Sequence, residues 1–146
     1  MDSRLTLGAL STCMEAYGAF CKPLCRELGL PQTAFDILMF LSNNPEHSTA
    51  KEISRLRGLK ENIISINVNK LVSEGYLLRQ SDPSDRRKVH LRCTPKADTV
   101  VQQGLIIQEA FVKEIQQGLN PQELATLFHC LHTVADNAAR ILTQTN

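Results

Sequence analysis

Apolar residues recur every three to four positions through most of the chain. From Leu5 to Leu28 they fall at Leu10, Cys13 or Met14, Tyr17, Phe20 or Cys21, Leu24 and Leu28, the period of a helix with one buried face. Pro23 inside that run predicts a kink or a local break, because proline lacks an N–H and its ring meets the preceding turn. Gly29 ends the run, and Pro31 sits near the start of a second helix. That helix is expected over 32–43, with Phe35, Leu38, Met39 and Leu41 apolar, and Asn43-Asn44-Pro45 stops it. Ser48 or Thr49 then caps a short third helix, Thr49 with Glu52 fitting a capping box, and Ile53 and Leu56 are expected to face inward. Arg57-Gly58-Leu59 reads as a tight turn. A fourth helix follows from Glu61 to Glu74, with Ile64, Val68 and Leu71 as a buried stripe and Gly75 at its end.

Beyond Gly75 the period changes from helix to strand. Tyr76-Leu77-Leu78-Arg79 and Val89-His90-Leu91-Arg92-Cys93 read as strands, the second with Val89, Leu91 and Cys93 on one face and Lys88, His90 and Arg92 on the other. Asp82-Pro83-Ser84-Asp85 between them is a turn composition, so the pair predicts a hairpin with a polar, basic tip. A segment around Glu46 to Ser48 is a candidate third short strand. Thr94 is expected to cap a long helix that starts at Pro95 and carries Ala97, Val100 or Val101, Leu105, Gln108, Phe111 or Val112, and Ile115. Asn120-Pro121-Gln122-Glu123 opens a last helix with Leu124, Leu127 or Phe128, Leu131, Ala135, Ala138 and Leu142. The class expected is mainly α (α+β), with six helices and a two- to three-stranded sheet.

Composition adds limits. At 146 residues the chain has the length of one domain, and its 42% hydrophobic content is too high for a disordered chain. No apolar run approaches the roughly 18–20 residues of a membrane span. No basic segment followed by an apolar stretch opens the chain, so no secretory signal is expected and the location expected is cytoplasmic. The net charge is only +1, which taken whole argues against a polyanion binder. Charge is not evenly spread, however. From His47 to Lys96 there are eleven Lys or Arg and five Asp or Glu, a net +6, while the rest of the chain is −5. The middle of the chain is therefore the place to seek an anionic partner.

That basic segment holds a short helix, a glycine turn, a longer helix and a hairpin. Helix, tight turn and helix make the helix-turn-helix, whose second helix enters the major groove of DNA. A hairpin directly after it is the wing of a winged helix. Arg86, Arg87 and Lys88 on a thin ribbon suit a narrow minor groove, where the potential is most negative. The run from Asp82 through Asp85, Arg87 and Leu91 to Thr94 resembles the wing signature of the MarR family of winged-helix regulators. In that signature an Asp, two residues, a second Asp and an Arg two further on precede an alternating strand that ends in Leu-x-x-Thr. Lys70 to Arg79 is similar to the family's end of recognition helix and first wing strand, and Thr49 to Ile53 to its first helix-turn-helix helix. The resemblance covers Leu28 to about Leu105 and extends to the outer helices only in pattern.

The resemblance implies a single MarR-like domain over 1–146. Within it, 30–94 would be the DNA-binding module, and 1–29 and 95–146 would be N- and C-terminal dimerisation helices. Arg87 would enter the minor groove, held by a charge-assisted hydrogen bond that it donates to Asp85, with Arg86 and Lys88 beside it. Asn62, Ile63, Ser65 and Ile66 would occupy the outward turns of the recognition helix, asparagine suiting adenine edges and isoleucine a thymine methyl. Lys60, Lys70 and Arg79 would meet phosphates. Two positions depart from the family pattern. Lys60 stands where a Ser-type helix cap is frequent, and Ile66 stands where a polar or basic residue is frequent, so base contacts cannot be copied from relatives. For Ile63 and Ile66 a core contact is the competing reading.

The implied function is a ligand-responsive repressor that binds a pseudo-palindromic operator as an isologous homodimer. A small-molecule effector would bind between dimer helices and DNA module, lined by Tyr17, Phe20, Phe35, Met39 and Leu105. Double-stranded DNA and a second copy are the expected partners, with no membrane and no cofactor. The five cysteines open an alternative within the same fold. Cys13, Cys21 and Cys25 share a helix, and Tyr17 stands four residues from Cys13, close enough to hydrogen-bond a thiolate. Some MarR-type proteins sense peroxide through an N-terminal cysteine, but their local pattern does not register with this chain, so no residue is carried over. Buried small hydrophobes are the competing reading. A zinc site from His129, Cys130 and His132 with Cys21 or Cys25 is a weaker alternative, with no tight Cys-x-x-Cys spacing. A Cys-His hydrolase is the most remote. The chain has no nucleophile elbow, phosphate-binding glycine loop or zincin helix, and it is not expected to be an enzyme.

Overall fold

The computed structural model describes residues 3–144, with side chains from Gly8 onward. Met1, Asp2, Thr145 and Asn146 lie outside the described residues, and so does the side chain of Leu5, at the start of the expected first helix. The chain groups into two compact units that divide after Phe111.

The first unit opens with α1 (Ser3–Leu28), which runs through Pro23 without interruption rather than breaking there. Both Pro23 and Ala19, whose carbonyl loses its helical donor, are exposed, so water can take that place. The other face of α1 buries Cys21, Leu24 and Cys25. Helix α2 (Gln32–Asn43) is central: Ala34, Phe35 and every residue from Ile37 to Leu41 are buried. A helix that is apolar nearly all round is one enclosed by its neighbours.

Helix α3 (Ala50–Arg57) carries the expected capping box. The Glu52 N–H donates to Thr49 Oγ1 (3.2 Å), and the Thr49 N–H donates to Glu52 Oε2 (2.9 Å). Burial pushes the Glu52 carboxyl up, but hydrogen bonds from Thr49 and from His47 outweigh it and hold its pKa at about 2. Gly58 ends α3 with φ +62°, a left-handed conformation that favours glycine. Ile53 is fully buried, whereas Leu56 is 40% exposed, contrary to its expected inward face. An eight-residue helix offers little inward surface, and Leu59 packs against the core from the turn beyond it. Helix α4 (Glu61–Ser73) buries Ile64, Val68 and Leu71 as expected.

Strands β1 (Leu77–Ser81) and β2 (Val89–Cys93) pair antiparallel, with Leu77 opposite Cys93 and Ser81 opposite Val89. The third strand expected near Glu46–Ser48 is reduced to one bridge, Thr49 to His90, beside a Leu91 N–H to Ser48 carbonyl bond of 2.7 Å. The expected alternation in β2 holds only in part. Leu91 is buried, but Val89, near the tip, is exposed and His90 is half-buried. The ribbon outruns the core at one end, and polar partners draw His90 in at the bridge.

Helix α5 (Pro95–Ile115) buries Ala97, Val100, Gly104 and Phe111. Thr94 does not spend its hydroxyl on capping this helix; it donates to the Gly75 carbonyl at 2.6 Å and ties α5 to the end of α4. Gly104 rather than Leu105 faces the core. A Cβ at Gly104 would stand 2.2 Å from Met39 Sδ and 3.1 Å from Phe35 Cε2, so the missing side chain is what lets α5 approach α2. Leu105 is 44% exposed.

In the second unit, α6 (Pro121–Gln144) starts at the expected cap. The Glu123 N–H donates to Asn120 Oδ1 (3.0 Å), and the Asn120 N–H donates to Glu123 Oε2 (2.8 Å). No residue of α6 is buried, and Leu127, Phe128, Leu131 and Val134 are all exposed. Among the described residues no helix is long and apolar enough to cross a membrane.

Candidate nucleic-acid interface

The stripe Ile64, Val68, Leu71 locks α4 down by one face, and that fixes which residues look outward. Asn62, Ser65, Ile66 and Asn69 are exposed, and Ile63 and Ile66 are 38% and 62% exposed, so neither isoleucine is a core contact. Two large apolar side chains held in water on one helix face carry no folding benefit there. Lys60 occupies the N-cap position of α4 with no side-chain cap. A cation there opposes the helix dipole, and an approaching phosphate relieves that.

The residues expected to meet phosphates are partly engaged within the chain. Lys70 Nζ pairs with Glu74 Oε1 at 2.7 Å, one turn on along the helix. Arg79 donates to Asn69 Oδ1 and so ties β1 to the outward side of α4.

Asp82 organises the wing tip. Its Oδ1 accepts from the Ser84 N–H (2.7 Å), the Ser84 hydroxyl (2.6 Å) and the Asp85 N–H (3.1 Å), and its Oδ2 accepts from His90 Nε2 (2.9 Å). The Ser84 hydroxyl, His90 and the two backbone donors hold its carboxyl well below the usual carboxylate range. Asp85 plays a different part from the one expected. Its Oδ1 accepts from the Arg87 backbone N–H at 3.0 Å, and among the described residues it makes no ion pair with the Arg87 guanidinium. The carboxylate shapes the turn, because a backbone donor two residues on lies closer than the end of a long side chain. Arg86, Arg87 and Lys88 are exposed and, among the described residues, are in no ion pair.

A groove of about 640 Å³ lies between α3 and the wing. Lys51 and Arg55 line it from α3, and Arg87 and Lys88 line it from the wing, with Glu52 and Asp85 as its acids. Lys51 and Arg55 were not expected at the interface. Their i, i+4 spacing on either side of buried Ile53 was the available signal.

The five residues expected to line an effector pocket do not form one. Phe35 and Met39 are core, Leu105 faces solvent, and Phe20 stacks on Phe111 with centroids 5.6 Å apart. Of the five, Tyr17 and Met39 border a cavity of about 90 Å³, with Asp36, Asn43, Arg57 and Gln108. That space is far below the few hundred Å³ of a typical ligand pocket. The difference arises because helical spacing places all five on inward faces without saying that tight packing at Gly104 fills the space between them. Gln108 Nε2 donates to the Tyr17 hydroxyl at 2.9 Å, and burial pushes that phenol up.

Cys21 and Cys25 are buried, and burial raises both thiols, Cys25 to about 11. A sensing thiolate needs the opposite environment. Tyr17 interacts with Cys21 rather than Cys13. Treatment with diamide or peroxide is expected to leave DNA affinity unchanged in a gel shift. A loss of binding that reductant restores would overturn this. Among the described residues no three His, Cys, Asp or Glu converge to hold a metal ion.

Residues 28–88 match the family model described as MarR family. The HTH-type transcriptional regulator YkoM of Bacillus subtilis (strain 168), itself uncharacterized, is 26% identical over 117 residues, covering 80% of this chain and 75% of YkoM. The MarR protein from Peptoclostridium difficile has the same fold, with a TM-score of 0.83 over all of this chain and 94% of that one, at 19% identity. A MarR-family regulator from Listeria monocytogenes, in complex with a 26mer DNA, matches with a TM-score of 0.79 over 96% of this chain and 91% of that one, at 16% identity. With the helix-turn-helix, the wing and the matched segment all in place, residues 28–88 are similar to the MarR family and the chain has the winged-helix fold of the MarR-family structures it matches.

Proposed function

We propose that the chain is a cytoplasmic repressor that binds a pseudo-palindromic operator as a homodimer and releases it when a small-molecule effector binds. The observation that carries this reading is the outward face of α4 beside a wing tip of three exposed cations that are in no ion pair among the described residues. Ile66 and Ile63 would cover thymine methyls, Asn62 and Ser65 would meet base edges, and Arg87 would enter the minor groove. Lys60 with Lys51 and Arg55 would follow the phosphates. The Listeria monocytogenes regulator of the same fold was solved with DNA. Leu10 and Met14 on α1, and Leu127, Phe128, Leu131 and Val134 on α6, are large apolar side chains left in water. Pairing two copies through such faces is the economical way to cover them, and it would set two recognition helices one helical turn apart.

The effector site is better sought in a groove of about 750 Å³ than among the packed residues around Phe35. Met14, Gly18, Ala19, Leu30 and Pro31 give it an apolar floor, and Lys22, Arg26 and Lys70 bring three cations to it against one acid, Glu15. An amphipathic anion fits that lining. It would lower DNA affinity only by binding one arrangement of the helices better than the other.

Selection of bound fragments from the source genome, followed by footprinting and sedimentation, tests the reading. The expected footprint covers two half-sites with centres about 10 bp apart, and the protein sediments as a dimer at micromolar concentration. Protection of one half-site by a monomer would overturn the dimer, and failure to enrich any fragment would overturn operator recognition.

A further inference from the structure

We propose that His90 is a positioning residue for DNA binding: it clamps the wing tip to the N-terminal end of α3, so that wing and helix-turn-helix are presented to DNA as one body. The inference rests on the reading of the wing as a DNA-contacting element.

The clamp has two jaws. On one side His90 Nε2 meets Asp82 Oδ2 at 2.9 Å, and on the other His90 Nδ1 meets Ser48 Oγ at 2.7 Å. A carboxylate only accepts, so Nε2 carries the proton, and in the neutral ring Nδ1 then accepts from the Ser48 hydroxyl. Each partner is itself committed to one of the two bodies. Asp82 uses its other oxygen to close the turn that carries Arg86, Arg87 and Lys88. Ser48 is 5% exposed, its carbonyl accepts from Leu91, and it immediately precedes the Thr49 cap of α3. The backbone adds one bridge at the same place, Thr49 to His90.

Without the imidazole, the tip would keep its internal turn but lose the side-chain link to α3. That link sets the width of the groove between Lys51 and Arg55 on one wall and Arg87 and Lys88 on the other. Strand pairing alone does not hold this angle, because two-stranded ribbons twist easily and Val89 beside the tip is not buried. A wing free to swing presents its arginines correctly for only a fraction of the time, and apparent affinity falls by that fraction.

The test uses the full chain, an operator fragment selected as above, and the variants His90→Ala, His90→Gln and Arg87→Ala. His90→Ala is expected to weaken operator binding about tenfold, as for a wing competent about one tenth of the time. His90→Gln, whose amide N–H reaches towards Asp82, should recover part of the loss. Amide exchange at Leu91, whose N–H bonds to the Ser48 carbonyl, should quicken in His90→Ala while core amides of α2 and α4 stay protected, which separates a loosened wing from a failed fold. In the free wild-type protein, nitrogen-15 spectra should show the proton on Nε2. Wild-type affinity in a folded His90→Ala, wing exchange unchanged, or no recovery in His90→Gln would overturn the clamp. If Arg87→Ala loses affinity while His90→Ala does not, the clamp alone fails. If Arg87→Ala also binds as wild type, the reading of the wing fails with it.

Discussion

Replacing Arg87 by alanine is expected to weaken operator binding by about 1–3 kcal/mol, roughly 5- to 150-fold, and to flatten the salt dependence of log Kd by about one unit of slope. The argument starts from charge that has nowhere else to go. Among the described residues, the Arg87 guanidinium meets no carboxylate, and the nearby Asp85 is occupied with the backbone of the turn. The side chain therefore reaches DNA without first breaking an ion pair, and nearly the whole of its interaction counts towards affinity. Lys70, already paired with Glu74 at 2.7 Å, should give a smaller effect when replaced. The tip turn is built from Asp82, Ser84 and backbone groups, so the fold should not respond. Fluorescence anisotropy across a salt series, with thermal melts beside it, checks both parts. An Arg87→Ala protein that binds operator as wild type would remove the wing from the interface.

Phe35→Ala should have the largest effect on stability, a loss of about 3–5 kcal/mol, whereas Leu105→Ala should stay within about 0.5 kcal/mol. Both residues were expected to line one effector pocket, and the structure separates them. Phe35 has no exposed surface and packs at the crossing of α2 and α5, where Gly104 leaves no slack. Truncating it removes buried apolar area and leaves a cavity that close packing cannot collapse to fill. Leu105, one residue along from Gly104, points out of the same crossing. Urea unfolding of the two variants gives the comparison, with the midpoint shift read at constant slope. Equal losses would mean that the α2–α5 packing is wrong.

The near-neutral total charge reads differently once the fold is known. The net +6 segment and the net −5 remainder are not two halves of an even surface. Lys51, Arg55, Arg87 and Lys88 from the basic segment line one groove between α3 and the wing. The small total restrains non-specific attraction to polyanions, while four cations against the two acids Glu52 and Asp85 leave that groove net positive.

Much of this molecule is written in local signals. The capping boxes at Thr49 and Asn120, the stripe Ile64-Val68-Leu71, the second strand Val89–Cys93 and the span of α2 all appear where residue spacing places them. Each depends on interactions within a few residues, and so does the wing turn, where the Asp82 and Asp85 carboxylates accept from backbone N–H groups two or three positions on. The outward face of α4 was legible for the same reason, since a period fixes both faces of a helix once one of them is apolar.

The misreadings share a different cause. Leu56 and Leu105 obey the helical period yet lie exposed, because period gives a direction and not the presence of a neighbour. Thr94 looks like a cap, but Gly75, 19 residues earlier, offers its hydroxyl a carbonyl at 2.6 Å. The effector lining dissolved because Gly104 allows α5 to sit against Met39 and Phe35, a contact between residues some 65 positions apart in sequence. Alternation alone placed His90 with Lys88 and Arg92 on the face opposite Leu91, yet Ser48, 42 residues away, holds it half-buried. Local chemistry along the chain settled which helices, strands and turns form and which face of α4 is left outward. Which of those faces meet, which cavities survive, and what holds the wing at its angle depend on contacts between distant residues, because those free energies exist only when the elements are packed together.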